Sequence, residues 1–174
     1  MSANYFFLFI GAVLLLILLL FRPMHTQAEV TEEVAQLELF DFILHELDQQ
    51  GLRNVLSGSE GERYTNRYVI KDVNYTDNTK KYVENMRSDT GVYKGNVVTL
   101  EGNVRYHRKD GIYFNSDKAT FDQNQSVART HGKFELTRGS DRVQGENLFY
   151  NSDSGKIKAQ DITAFYRINE KEKR

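Results

Sequence analysis

Apolar and polar residues alternate with a period of two along much of the chain from Leu39 onward, most clearly in residues 100–121, LEGNVRYHRKDGIYFNSDKATF. Leu100, Gly102, Val104 and Tyr106 alternate with Glu101, Asn103, Arg105 and His107, the pattern of a strand with one covered face. Asp110-Gly111 separates this run from the next, and Asp-Gly accepts the positive φ angles of tight hairpin turns. The return run places Ile112 and Phe114 on one face, then Ala119 and Phe121 in the opposite parity. Such a slip, here near Asp117, requires a bulge or a bend.

The same unit recurs. Gly132, Phe134 and Leu136 repeat the Gly102, Val104, Tyr106 face, and residues 137–141 supply a turn. Val143 and Gly145 follow, the parity slips at Glu146, and Leu148 and Tyr150 finish the run. An earlier copy gives Tyr68 and Ile70, a slip at Asp72, then Val73 and Tyr75. Ile157, Ala159, Ile162, Ala164 and Tyr166 slip once more. The pattern predicts repeated antiparallel hairpins whose strands bend as they cross from one sheet to another. Phe40, Phe42 and Leu47 read as a first strand ending in Gln49-Gln50-Gly51, although Leu37, Phe40 and Leu47 also fit one face of a helix over 34–47. Residues 58–61 read as a turn, and 82–86 as a strand closed by 88–91.

Residues 5–21, YFFLFIGAVLLLILLLF, carry no charge and suffice to span a bilayer core as a helix. Arg22 can snorkel and Pro23 stops the helix. Thr26-Gln27-Ala28 offers a signal-peptidase alternative, but the basic leader is missing and the apolar run is too long for a signal peptide. The expected organisation is an anchor over 1–24, a polar tether over 25–38, a β-domain over 39–168 and a charged tail over 169–174.

The 174 residues carry a net charge of -1, one proline and no cysteine, which disfavours a nucleic-acid binder and removes disulfides and thiolate metal sites. His25, His45, His107 and His131 are scattered without metal-ligand spacing. Asp72, Asp117 and Glu146 fall at expected bends, where a structural role outweighs an acid–base pair. Residues 91–102 hold three glycines, but lack the ending and the following helix of a P-loop. No catalytic residue, metal or cofactor is expected. The 10 Tyr and 11 Phe fall largely on the inward parity of strands, so the interior is either a packed sandwich core or an apolar trough. Asn74 and Asn124 each sit in an Asn-x-Ser/Thr sequon with an aspartate two residues earlier, which marks both as candidate glycosylation sites; Asn124 falls at a turn and Asn74 in a strand.

Three features together resemble the LptC family of lipopolysaccharide-export proteins: the N-terminal apolar segment, Leu100-Glu101-Gly102-Asn103-Val104, and Gly111-Ile112-Tyr113-Phe114 on the return run. Tyr68-Val69-Ile70-Lys71-Asp72-Val73-Asn74-Tyr75 is similar to that family's early strand pair. The resemblance implies an all-β fold, an open twisted antiparallel β-jellyroll, with a single N-terminal transmembrane helix in the inner membrane and the C-terminal domain in the periplasm. It implies no enzymatic activity. Its implied partners are lipopolysaccharide through the lipid A acyl chains, ABC transporter membrane subunits of the LptFG type, and an LptA-like periplasmic bridge protein. The alternative is a structural membrane-anchored adaptor without a lipid ligand. By parity, Tyr68, Ile70, Val104, Phe114, Phe121, Phe134, Leu136, Val143, Leu148 and Tyr150 are the expected groove lining. The final strand over 160–168 has no proline, and its core of Ile162, Thr163, Ala164, Phe165 and Tyr166 has no charge. It is expected to be an unguarded partner edge, the alternative being that the charged tail over 170–174 covers it. Gly132 is grouped with it as a bend or a site of close backbone approach.

Overall fold

A computed structural model describes residues 34–49 and 51–167. The expected anchor, most of the tether with His25, and the charged tail lie outside the described residues. Among the described residues, no helix is long and apolar enough to cross a membrane.

Ten strands form one antiparallel sheet: β1 (Leu37–Asp48), β2 (Gly51–Arg63), β3 (Arg67–Asp77), β4 (Glu84–Lys94), β5 (Val97–Arg108), β6 (Ile112–Asp122), β7 (Val127–Thr130), β8 (Lys133–Arg138), β9 (Asp141–Asn151) and β10 (Lys156–Phe165). They lie in chain order, each beside its predecessor, except that β7 and β8 share the place between β6 and β9. These two are one interrupted strand, broken at His131-Gly132. Strands β1 and β10 are the two edges and do not pair with each other, so the sheet stays open.

The parity slips are real and lie along one line across the sheet. Asp41, Asp72, Asn103, Asn147 and Asp161 have left-handed backbone with φ from 47° to 53°. Asp and Asn tolerate this conformation better than most residues because their short polar side chains bond locally. At Asp72 the covered face passes from Ile70 to Val73, and beside Asn147 it passes from Leu148 to Gly145. The slip near Asp117 is driven from the neighbouring strand. There the register shifts between Glu101 and Val104 on β5, and Gly102 and Asn103 carry the positive φ angles. Gly132, φ 88°, marks the same line where β7 gives way to β8.

The strands bend within one sheet rather than crossing between two, and of the local expectations one alternative and two turns are corrected. Residues 34–47 are not helical, because β1 pairs with β2 along its length, with Leu37 opposite Arg63 and Asp48 opposite Gly51. Residues 58–61 are not a turn but the middle of β2, and 88–91 do not close a strand but lie inside β4. Their small residues serve close packing at the bend. A Cβ on Gly58 would stand 2.7 Å from Ile70 Cγ2, and one on Gly91 would stand 2.9 Å from Val73 Cγ2.

Val73, Leu100, Val104, Val127 and Phe134 are the buried hydrophobic residues, and among the described residues no large side chain is fully buried. The domain therefore rests on ladder hydrogen bonds and a thin core, most of it around the bend and Val127 at the start of β7. Gly145 tests that core. A Cβ there would meet the backbone oxygen of Gln160 at 2.9 Å and the Phe134 ring at 3.0 Å, neither of which can move freely. Gly145→Ala should destabilise the domain by about 1–3 kcal/mol, read as a Tm lower by several degrees; an unchanged Tm would show that the bend is loosely packed.

Candidate functional site

Cross-strand pairing sorts the apolar residues into four ladders on one face. At one end of the strands, Tyr68 opposes Tyr93, Tyr93 opposes Val98, Val98 opposes Phe121, and Phe121 opposes Ala128. Tyr150 and Ile157 continue this row to the β10 edge. The second row runs Ile70, Gly91, Leu100, Ala119 and Thr130. Beyond the bend, the third row joins Val104, Ser116, Phe134 and Gly145. A fourth crosses the whole sheet through Leu44, Leu56, Tyr75, Met86, Tyr106, Phe114, Leu136, Val143 and Ala164.

Nine of the ten residues expected to line a groove stand on these ladders. The tenth, Leu148, lies two residues before Tyr150 on the same face, where its backbone N–H donates to Thr130 Oγ1 at 2.9 Å. Exposure grades along the face. Val104 and Phe134 by the bend are 3% and 6% exposed, whereas Tyr68, Phe121 and Tyr150 in the outermost row are 44%, 39% and 39% exposed. Tyr93 belongs to this outer row and packs against Tyr68 at 6.3 Å between ring centroids. Sequence reading missed it, because taking 88–91 as a turn detached Tyr93 from its strand. The signal was present in the Gly95-Asn96 turn, which sets Tyr93 opposite Val98.

Glu101 and Arg105 point the other way. The outer face is polar, with Lys71 donating to Glu60 at 2.5 Å, Lys118 paired with Glu101, and Arg142 and Gln144 both donating to Glu135. These donors hold the Glu135 carboxyl below its ordinary value, the Arg142 hydrogen bond most. A depression of about 740 Å³ lies at the bend, and the polar side chains lining it include Asn103, Arg105, Asn115, Asp117, Lys133 and Glu146. By parity these polar side chains face away from the third ladder, although Val104, Ser116, Phe134 and Gly145 of that ladder also line the depression. His107 stacks on Tyr113 at 4.3 Å, also on the outer parity.

At the end of the strands beyond the fourth ladder, the inner face turns polar. Arg108 grips Asp110 through Nε at 2.7 Å and Nη2 at 3.0 Å, with Arg138 at 3.8 Å. Burial, aided by neighbouring Glu84, pushes the Tyr106 hydroxyl up to about 12. Ile162, Thr163, Ala164 and Phe165 lie on β10, whose outer side pairs with no described residue; Ile162 and Phe165 are 56% and 59% exposed. Gly132 is not at this edge. It sits inside the sheet, where its N–H donates to Asn147 Oδ1 at 3.1 Å and its carbonyl accepts from Asn147 N at 2.9 Å. Among the described residues no group of acidic or histidine side chains is arranged to hold a metal.

Among the described residues the sheet thus has one apolar face and two edges without a partner strand. A model of the family described as "Lipopolysaccharide-assembly, LptC-related" matches residues 6–162. The chain belongs to the LptC-related family. The fold of this LptC-related chain is similar to that of LptH, the LptA-homologous periplasmic component of the lipopolysaccharide transport device of Pseudomonas aeruginosa. That likeness has a TM-score of 0.51 at 15% identity, and covers 76% of this chain and 94% of LptH. No curated protein matches the sequence.

The Arg108–Asp110 pair carries a pH signature. The Arg108 hydrogen bond holds the Asp110 carboxyl below its ordinary value. A depressed carboxyl contributes stability that is present above the unfolded value of about 3.9 and is lost as pH falls through the folded value. Asp110→Asn should therefore lower Tm at pH 7, and the gap to the parent should close as pH drops below about 4. A gap that stays constant down to pH 2 would remove the ion pair as its cause.

Proposed function

We propose that this LptC-related protein is a membrane-anchored part of a lipopolysaccharide transport bridge. It takes the acyl chains of lipid A from an ABC transporter with LptFG-type membrane subunits and passes them to an LptA-like periplasmic protein. The observation that carries the reading is the apolar face itself: four ladders made mostly of aliphatic and aromatic side chains, half-exposed towards their outer row, with no large side chain fully buried among the described residues. Family membership supports the choice of ligand.

The physics needs no specific chemistry. Each CH₂ removed from water contributes ~0.8 kcal/mol, so a continuous apolar strip retains an acyl chain while the sugars stay hydrated. Moving the lipid along costs little, because one patch of ladder resembles the next. Net direction has to come from the transporter's ATP hydrolysis.

A photo-crosslinking residue placed at Phe121, in the exposed outer row, should capture lipopolysaccharide several-fold more than one at Glu101 or Arg105 on the polar face. Phe134, 6% exposed, should capture only as the trough opens around a bound chain. Equal capture on both faces would overturn the reading. A full-length protein that copurifies without lipid A and resists loading would point instead to the structural adaptor.

Hand-over requires contact between domains, and β10 offers for strand addition backbone groups that pair with no described strand. Neighbouring residues of an antiparallel strand direct their N–H groups to opposite sides, so one of Thr163 and Ala164 faces β9 and the other faces outward. Proline at the outward one should weaken binding of the LptA-like partner at least tenfold in a domain that remains folded. A folded proline variant at that position that binds as tightly as the parent would exclude this edge.

A further inference from the structure

The chain holds two Asn-x-Ser/Thr sequons, and each has an aspartate two residues upstream: Asp72-Val73-Asn74-Tyr75-Thr76 and Asp122-Gln123-Asn124-Gln125-Ser126. This acidic extension is the acceptor pattern used by bacterial oligosaccharyltransferases. The sequence treats the two alike, and the fold does not.

Asn74 lies within β3, which has strands on both sides, and stands opposite Ser57 on β2 and Arg87 on β4. It is half-buried, and its Oδ1 accepts a hydrogen bond from Asn85 Nδ2 at 2.7 Å. The same Asn85 amide also donates to the Tyr75 carbonyl and the Thr76 hydroxyl, so this donor alone ties up three residues of the sequon. An enzyme could reach Asn74 only after the β2–β3–β4 pairing came apart.

Asn124 lies in the turn 123–126 between β6 and β7, with Gln123, Asn124 and Gln125 all exposed. Among the described residues its carboxamide makes no hydrogen bond. The base of the turn is firmly held. Gln123 N donates to the Asn96 carbonyl at 2.9 Å, Asn151 Nδ2 to the Gln125 carbonyl at 3.1 Å, and Ser152 N to the Ser126 carbonyl at 2.9 Å. The turn therefore projects a free carboxamide from a fixed base. Presenting the Asp122 carboxylate costs one surface hydrogen bond, the 3.0 Å contact from Gln125 N. In strand order the turn lies between interior strands, so a glycan there leaves β1 and β10 open to partners.

We propose that Asn124 is an N-linked glycan acceptor and that the fold selects it over Asn74. The donor is a polyprenyl-diphosphate-linked oligosaccharide. Asn124 Nδ2 attacks the anomeric carbon, a C–N bond forms, and the C–O bond to the diphosphate breaks. Polyprenyl diphosphate leaves with the bonding pair, and one amide proton passes to solvent. No oxidant or reductant is consumed.

The test uses the purified full-length chain in detergent, a purified bacterial oligosaccharyltransferase and a polyprenyl-diphosphate oligosaccharide, followed by intact mass. Because the reaction runs outside the cell and without lipopolysaccharide, its outcome is independent of the transport reading. Synthetic peptides spanning each sequon run alongside, and both should be glycosylated. The folded chain should gain the mass of a single glycan. Asn124→Gln, with an unchanged circular dichroism spectrum, should abolish the gain, and Asn74→Gln should leave it intact. A folded chain that keeps its bare mass while the Asn124 peptide is modified would overturn the proposal, as would rejection of the Asn124 peptide itself. Modification of Asn74 in the folded chain, or an Asn74 peptide that is refused, would overturn selection by the fold.

Discussion

Asp41, Asp72, Asn103, Asn147 and Asp161 hold left-handed backbone along one line across the sheet, and the position of each apolar side chain follows from that line. A flat strand with strict alternation would keep its apolar set on one flat surface, exposed to water unless a second layer covered it. Here each strand changes parity as it changes direction, so the apolar residues on either side of the bend face the same interior. Ile70 and Val73 show this on β3, and Leu148 and Gly145 show it on β9. One sheet thereby supplies both walls of its own interior. Four of the five buried hydrophobic residues, Val73, Leu100, Val104 and Phe134, lie at or beside the line itself, and the fifth, Val127, lies at the start of β7.

The gradient of exposure along the face explains how the domain combines a definite fold with an unfilled face. A packed sandwich of this length would bury several large aromatic side chains, because aromatic burial dominates core energetics. The Tyr68–Tyr93 pair and Phe121 instead keep more than a third of their surface in water. Charge pairs on the outer face, such as Lys71 with Glu60 and Lys118 with Glu101, are exposed and contribute little to stability. They keep that face wet and so fix which side of the sheet remains apolar.

Much of this architecture was legible in the sequence because parity is a physical count. The slips at Asp72, Asp117, Glu146 and between Ala159 and Ile162 each fall on the bend, and the residues assigned inward by parity share one face. Small residues misled. Gly58, Gly61, Ser88 and Gly91 look like turn formers, yet they lie mid-strand; an added Cβ on any of the three glycines would stand within 3 Å of a neighbouring side chain, and Ser88 is buried. Local composition reports flexibility and smallness together, and only the paired partner strand distinguishes them. The edge position of β10 was readable from its lack of proline and the uncharged stretch from Ile162 to Phe165. Gly132 was readable as the counterpart of Gly102 within a repeated unit, but the break it marks between β7 and β8 was not, because a break shared between two short strands leaves no mark on alternation.

The strand order has a consequence for how the domain is assembled in time. Every strand pairs with strands close to it in sequence, and no long-range pairing joins the first strand to the last. In this respect the sheet behaves like a repeat protein, a linear array in which each hairpin is supported by its immediate neighbours. Loop-closure entropy is small at every step, which favours rapid formation from any starting hairpin. The same linearity means that opening begins at the ends, where β1 and β10 have one neighbour each, and travels inward one strand at a time. The strands that are easiest to loosen are thus the two whose outer backbone groups pair with no described residue.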